Sequence, residues 1–302
     1  MARMHIYTSD TCTITLPPGH RFPIQKYALL RQRVEESGLF PAEDIRVAIP
    51  ATAAQLARAH DPAYIAKVKH GDLTLAEIRR LGFPWSPALW ERARHTVGGT
   101  IGACRSALAN GLAVNLAGGT HHAGREHGEG FCVFNDVAVA ARVMQAEQLA
   151  RRVLIVDCDV HQGNGTAAIT NGDPAITTFS IHAEKNFPFR KIASDLDIGL
   201  DNGADDEEYL MMLEEGLWRI LAQANADLVI FLAGVDPYAG DRLGLLNLTK
   251  NGLLARDRLV LTMCQEHGLP VAITMAGGYA PDSSTIADLH FQTVRLAGTL
   301  AK

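Results

Sequence analysis

The stretch VLIVDCDVHQGNG, Val153–Gly165, decides the fold. It begins as a continuous apolar run and ends as a polar loop rich in metal-ligating residue types. A continuous run suits a strand covered on both faces, as in a parallel sheet held between helix layers. Three further stretches have the same form: GLAVNLAGG (111–119), DLVIFLAGVD (227–236) and PVAITMAGGY (270–279). Amphipathic or Ala-rich segments at 135–150, 206–225 and 251–267 lie between them and predict helices. The alternation predicts an α/β fold, a three-layer α/β/α arrangement around a mostly parallel central sheet. Without an internal repeat or a low-complexity linker, residues 1–302 are expected to form one domain.

Composition narrows the function. With 47% hydrophobic and 20% charged residues the chain buries a large core and is not disordered. A net charge of −5 and no long basic run argue against a nucleic-acid binder. The cysteines at 12, 104, 132, 158 and 264 are odd in number, scattered and without a CxxC pair, so neither a disulfide framework nor a cysteine-rich zinc site is expected. The start, MARMHIYTSD, lacks the apolar run of a signal peptide, and no segment is apolar for long enough to span a bilayer. A cytoplasmic location without membrane attachment is expected.

Parallel α/β sheets bind ligands outside the carboxyl ends of their strands. The four runs end in His121 and His122, in Asp157, Asp159 and His161, in Asp236, and in Tyr279. In an extended segment side chains two apart share a face, so Asp159 and His161 can reach one point, and Asp236 can join them from the next strand end. One imidazole and two carboxylates leave an open position, as a catalytic zinc requires; iron(II) would accept the same set. Either motif alone reads more simply as a polar loop after a strand, and the two together point to a metal. Next to a metal-activated water, the tandem histidines of AGGTHHAG have a task as proton carriers, since imidazole titrates near neutrality. Asp157 behind His121 and Asn164 behind His122 are the natural partners to fix their tautomers. Tyr279, after Gly277 and Gly278, is placed to donate to a carbonyl oxygen as it gains negative charge.

The blocks GGTHHAGREHGEGFCVFND, VLIVDCDVHQGNGTA, AGVDPYAGDRLGLLNLT and AGGYAPDSS, with PPGHRFPIQKY and HDPAYIAKV nearer the start, resemble the signature segments of the histone deacetylase superfamily, in order and over nearly the whole chain. DVHQGNG, GADDEEYL and AGDRLG are most similar to the class IV branch and its bacterial relatives. The resemblance implies an arginase/deacetylase-like fold and zinc-dependent removal of acetyl or longer acyl groups from lysine side chains of proteins or peptides. It implies zinc ligands at Asp159, His161 and Asp236, His122 as proton shuttle beside His121, and Tyr279 as oxyanion donor. It also implies an acyl-lysine channel at Gly130, Phe131 and Phe187, and a structural K+ held by Asp157, Ser180 and main-chain carbonyls including that of Ile181. Asn164 departs from the many members that carry aspartate there. A neutral amide stabilises an imidazolium less than a carboxylate does, so the pKa of His122 is expected to be lower than in those relatives.

Three other readings share parts of this pattern. A deacylase of small molecules such as acetylpolyamines would carry the same catalytic block. A binuclear manganese ureohydrolase would need a further aspartate two residues after the loop histidine, where Gly163 stands, and a metal-binding GGDH in place of GGTHH. A non-catalytic acyl-lysine binder would have no use for a proton relay.

Overall fold

The computed structural model describes residues 3–301. In chain order the elements are β1 (His5–Thr8), α1 (Lys26–Glu36), β2 (Ile45–Val47), α2 (Ala53–Leu56), α3 (Pro62–His70), α4 (Leu75–Leu81), α5 (Pro87–Asn110), β3 (Leu112–Asn115), α6 (Asp136–Ala146), β4 (Val153–Asp157), α7 (Asn164–Thr170), β5 (Ile176–Ala183), β6 (Leu196–Leu200), α8 (Asp206–Ala224), β7 (Leu228–Leu232), α9 (Lys250–Glu266), β8 (Val271–Thr274) and α10 (Ser283–Leu300). The eight strands form one sheet in the order β2-β1-β3-β8-β7-β4-β5-β6, and every pairing is parallel.

The continuous apolar runs have a direct structural meaning. In β4 and β7 every residue is buried. Leu154 and Val156 face one apolar layer, packed on α8, α9 and α10, whereas Val153 and Ile155 face the other, packed on α5 and α6. Both faces of the strand are dry, so alternation disappears from the sequence. The four runs are also consecutive in space, as β3-β8-β7-β4. Asn115 pairs with Thr274, Thr274 with Leu232, and Leu232 with Asp157. Four strand ends therefore stop side by side, and the loops that follow converge on one spot.

The loop after β3 is anchored from below by His60, which is wholly buried. Its Nδ1–H donates to the Gly124 carbonyl at 2.9 Å, and its Nε2 accepts from the Asn135 N–H at 2.8 Å. Asn135 in turn caps α6 and donates to the carbonyls of His121 and Ala123. Burial pushes the pKa of His60 from the ordinary 6.5 down to about 4. The unfolded chain binds the proton first as pH falls, so the stability that neutral His60 supplies is complete above about pH 6.5 and is lost towards pH 4, a span worth about 3 kcal/mol. The thermal midpoint should fall over that interval. It should fall less in His60→Gln, which keeps an acceptor and does not titrate. Parallel melting curves against pH for the two proteins would contradict this assignment.

Candidate metal centre and proton relay

The polar loop after β4 does not stay extended. The Asp159 N–H donates to Asp157 Oδ1 at 3.1 Å, and the His161 N–H donates to Asp159 Oδ1 at 3.0 Å. Two successive side-chain-to-backbone bends thus turn the chain, a use of aspartate that competes with strand geometry. Asp159 and His161 meet as their spacing predicts, but through these bends and not through a shared strand face. Asp236 comes from the loop after β7, where its Oδ1 accepts from the Val160 N–H at 2.9 Å.

One ligand atom from each of Asp159, His161 and Asp236 lies within 4.8 Å of the others. His161 Nδ1 is 2.9 Å from Asp159 Oδ1 and 3.2 Å from Asp236 Oδ2. Both carboxylates are almost wholly buried, and Asp236 Oδ2 has no hydrogen-bond partner. Two buried acids this close repel unless a cation or proton lies between them. Burial and the Asp159 charge push Asp236 up to about 7. Burial opposes charge on His161 too, but Asp159 and Asp236 outweigh it and raise its pKa to about 10. The unpartnered oxygen and the protons the cluster retains both fit a divalent cation. Gly277 permits the close packing: its N–H donates to Asp159 Oδ2 at 2.7 Å, and a Cβ there would collide with Asp236 Oδ2.

The tandem histidines stand beside this cluster with ring centroids 4.1 Å apart. His121 Nδ1 is 2.6 Å from Asp157 Oδ2, and His122 Nδ1 is 2.7 Å from Asn164 Oδ1. The Asn164 amide also donates from Nδ2 to Glu129 at 3.3 Å, so its oxygen faces His122. His122 then carries its proton on Nδ1 and presents a bare Nε2. Their electrostatics diverge. Burial works against a charged His121, yet Asp157 and Asp159 outweigh it and lift its pKa to about 9. Burial, with the charges of His121 and His161, drops the pKa of His122 well below 6.5. His121 is thus far more readily protonated than its neighbour His122.

Tyr279 closes the opposite side, its ring centroid 6.3 Å from that of His161. Burial and the two nearby carboxylates keep its phenol protonated, with a pKa well above 10. Phe131 lies 6.1 Å from the Tyr279 ring and Phe187 lies 4.9 Å from the His122 ring, so the two phenylalanines line one cavity with Gly130 from different sides. Ser180 pairs with Asp157 across β4 and β5, and Ile181 follows it in β5. Sequence reasoning missed the residues that hold the Tyr279 turn. Lys26 donates to the carbonyls of Ala276 at 3.1 Å and Gly278 at 3.4 Å, and Asp241 accepts from the Tyr279 N–H at 2.5 Å. It also missed Arg256, which donates to the carbonyls of Cys158 and Gly234, next to or near Asp159 and Asp236. These side chains act on main-chain carbonyls and amides, which leave no motif.

A second metal of the ureohydrolase kind is not supported. Asp159, His161 and Asp236 are the one such ligand group found among the described residues. A side chain at Gly163 would begin 2.5 Å from Asp157 Oδ2.

Comparison with known proteins adds independent findings. The family model for the histone deacetylase domain matches residues 20–294. An uncharacterized protein of Picosynechococcus sp. is 46% identical over 285 residues, spanning 94% of this chain and 95% of its own. Histone deacetylase 2 of Arabidopsis thaliana is 29% identical over 293 residues, spanning 93% of this chain and 76% of its own. The crystal structure of a histone deacetylase homologue from Aquifex aeolicus superposes with a TM-score of 0.84 over 99% of this chain and 84% of that one, at 24% identity.

Asp236→Ala should weaken divalent-metal binding by more than roughly 100-fold, beyond the cost of losing an outer-sphere partner. Metal analysis after dialysis should find one equivalent per chain for the parent protein and almost none for the variant. Full occupancy in the variant would remove Asp236 from the ligand set.

Proposed function

The chain belongs to the histone deacetylase family, and from that premise we propose that it is a zinc-dependent deacylase of lysine side chains in proteins or peptides. One observation carries the reading. Asp159, His161, His122 and Tyr279 all line a single cavity of about 590 Å³ that Phe131 and Phe187 also line, and the third candidate ligand, Asp236, offers an oxygen within 4.8 Å of the Asp159 and His161 ligand atoms. A binding module would need the cavity but not a neutral base beside a cationic one.

Asp159, His161 and Asp236 would hold the zinc, which when bound supplies Lewis acidity towards the acyl carbonyl and lowers the pKa of water. The lysine side chain passes between Phe131 and Phe187, which exclude water and align the amide. His122 takes the proton of the attacking water at Nε2, while Asn164 keeps Nδ1 protonated and the ring fixed. The Tyr279 hydroxyl donates to the carbonyl oxygen as negative charge gathers there. The new C–O bond comes from water. As the C–N bond breaks, His122 returns its proton to the lysine nitrogen, and a carboxylate and a free amine leave. The charged His121, paired with Asp157, lowers the proton affinity of His122 and so eases this return. Asp157, Ser180 and the Ile181 carbonyl would hold a structural potassium ion on the far side of the same loop.

The acetylpolyamine alternative is weaker. Arg21 and Lys185 line the exposed mouth of the cavity, where Arg80 is paired with Glu129, and a polycationic amine would meet a net positive charge there.

Tyr279→Phe should lower kcat by roughly 100- to 1,000-fold while metal content is retained, which activity assays on an acetyl-lysine peptide with parallel metal analysis would check. In Asn164→Asp the carboxylate should raise the pKa of His122. The base must be neutral to act, so the acidic limb of the pH–rate profile should move to higher pH. Coincident profiles would mean that Asn164 does not set the basicity of His122.

A further inference from the structure

The cavity that borders the metal centre is also lined by Phe22, Tyr27 and Arg92. From Tyr279 a line of rings runs to the partly buried Tyr27: Phe22 is 6.4 Å from Tyr279, and Tyr27 is 6.1 Å from Phe22. At the end of the line stands Arg92 of α5, its guanidinium carbon 4.4 Å from the centroid of the Tyr27 ring. Ala93, Thr96 and Phe134 also line this cavity. All three are buried, as Arg92 itself is at 6% exposure.

Arg92 is poorly provided for. Among the described residues its one hydrogen bond runs from Nη1 to the Cys12 carbonyl at 3.5 Å, and no carboxylate pairs with it. The other buried cations near the site are treated differently. Arg256 is paired with Asp257 at 2.7 Å and donates to two carbonyls, and Lys26 donates to two carbonyls. A buried guanidinium without an anion is costly, and stacking on one tyrosine offsets only part of that cost. Its planar fork matches a carboxylate in two-point contact. The largely apolar space between the metal centre and this fork suits methylene groups.

We propose that the acyl group removed by this enzyme ends in a carboxylate, which Arg92 binds at its end of this cavity. The inference rests on the lysine-deacylase reading and names its substrate class: ω-carboxyacyl-lysine, such as succinyl-, glutaryl- or adipoyl-lysine. Arg92 is a specificity-determining residue in this account. Hydrolysis adds water across the amide C–N bond and yields a dicarboxylate and free lysine, with no further reactant.

The test uses one peptide carrying a series of ω-carboxyacyl groups of increasing length, each matched to the uncharged ω-methyl acyl group of equal length. For the zinc-loaded protein kcat/KM should favour the carboxylate at the best length by at least roughly 10-fold, the gain of a charge-assisted contact. Arg92→Gln should abolish that ratio and Arg92→Lys should keep part of it. A ratio within one protein does not depend on how much of the variant is folded. Calorimetric binding of the same pairs gives a readout independent of turnover. The carboxylate should bind more tightly than its methyl partner to Tyr279→Phe, and not to the Tyr279→Phe, Arg92→Gln double variant. Turnover of acetyl-lysine without any carboxylate preference, or a preference that survives Arg92→Gln, overturns the proposal. No turnover of any acyl-lysine, with the binding preference intact and dependent on Arg92, would instead overturn the deacylase reading and leave carboxylate recognition by Arg92 standing.

Discussion

Two aspartates, Asp159 and Asp236, are buried almost completely at a distance where their charges conflict, and much of the surrounding structure serves to hold them there. His161 sits between their oxygens, Gly277 offers an N–H without a side chain, and Arg256 fixes the carbonyls of Cys158 and Gly234 beneath the two loops. Such a cluster is unfavourable for an empty fold, since burying like charges costs more than their local hydrogen bonds return. It becomes favourable when a cation is the missing partner. A bound cation would offset that expense in stability, whereas a fold free of such a requirement would fill the space with apolar side chains.

The same electrostatic frame sorts the rest of the centre. Asp157 favours the charged form of His121; burial, with the charge on His121, disfavours it for His122; burial, with Asp159 and Asp236, raises the pKa of the Tyr279 phenol. The proton affinities of these side chains are thus set by their surroundings and not by residue type alone, as the two adjacent histidines make plain. The parallel sheet makes this possible. Consecutive strands β3, β8, β7 and β4 end at one level, so residues far apart in the chain reach one point with short loops.

The sequence revealed those parts of the molecule whose burial is uniform or whose chemistry is carried by side chains. The runs in β3, β4, β7 and β8 were legible because strands dry on both faces read as unbroken apolar stretches. β5, Ile176–Ala183, was not, although it is the longest strand, because Thr178, Ser180 and His182 interrupt its pattern. Their polar atoms are satisfied internally, by Asp195 and by the Ser180–His182 contact, so they are buried without appearing apolar. The edge strands β2 and β6, and β1 beside β2, are partly exposed and so lack a continuous apolar run. The longest helix, α5, carries glycines at 98, 99 and 102 and several charged residues, and with it Arg92 stayed out of view. Within the candidate site, the D-x-D-x-H and tandem-histidine motifs stood out because they gather metal-ligating and titratable side chains into short stretches. Lys26, Asp241 and Arg256 were not, because main-chain groups accept or donate to many side chains alike.

The central claim is that one cation joins Asp159, His161 and Asp236, and diffraction at the zinc absorption edge from crystals of the zinc-loaded protein tests it most directly. The account predicts a single anomalous peak per chain within bonding distance of His161 Nδ1 and of a carboxylate oxygen from each aspartate. Two peaks sharing those aspartates, or a single peak bound elsewhere, would contradict it.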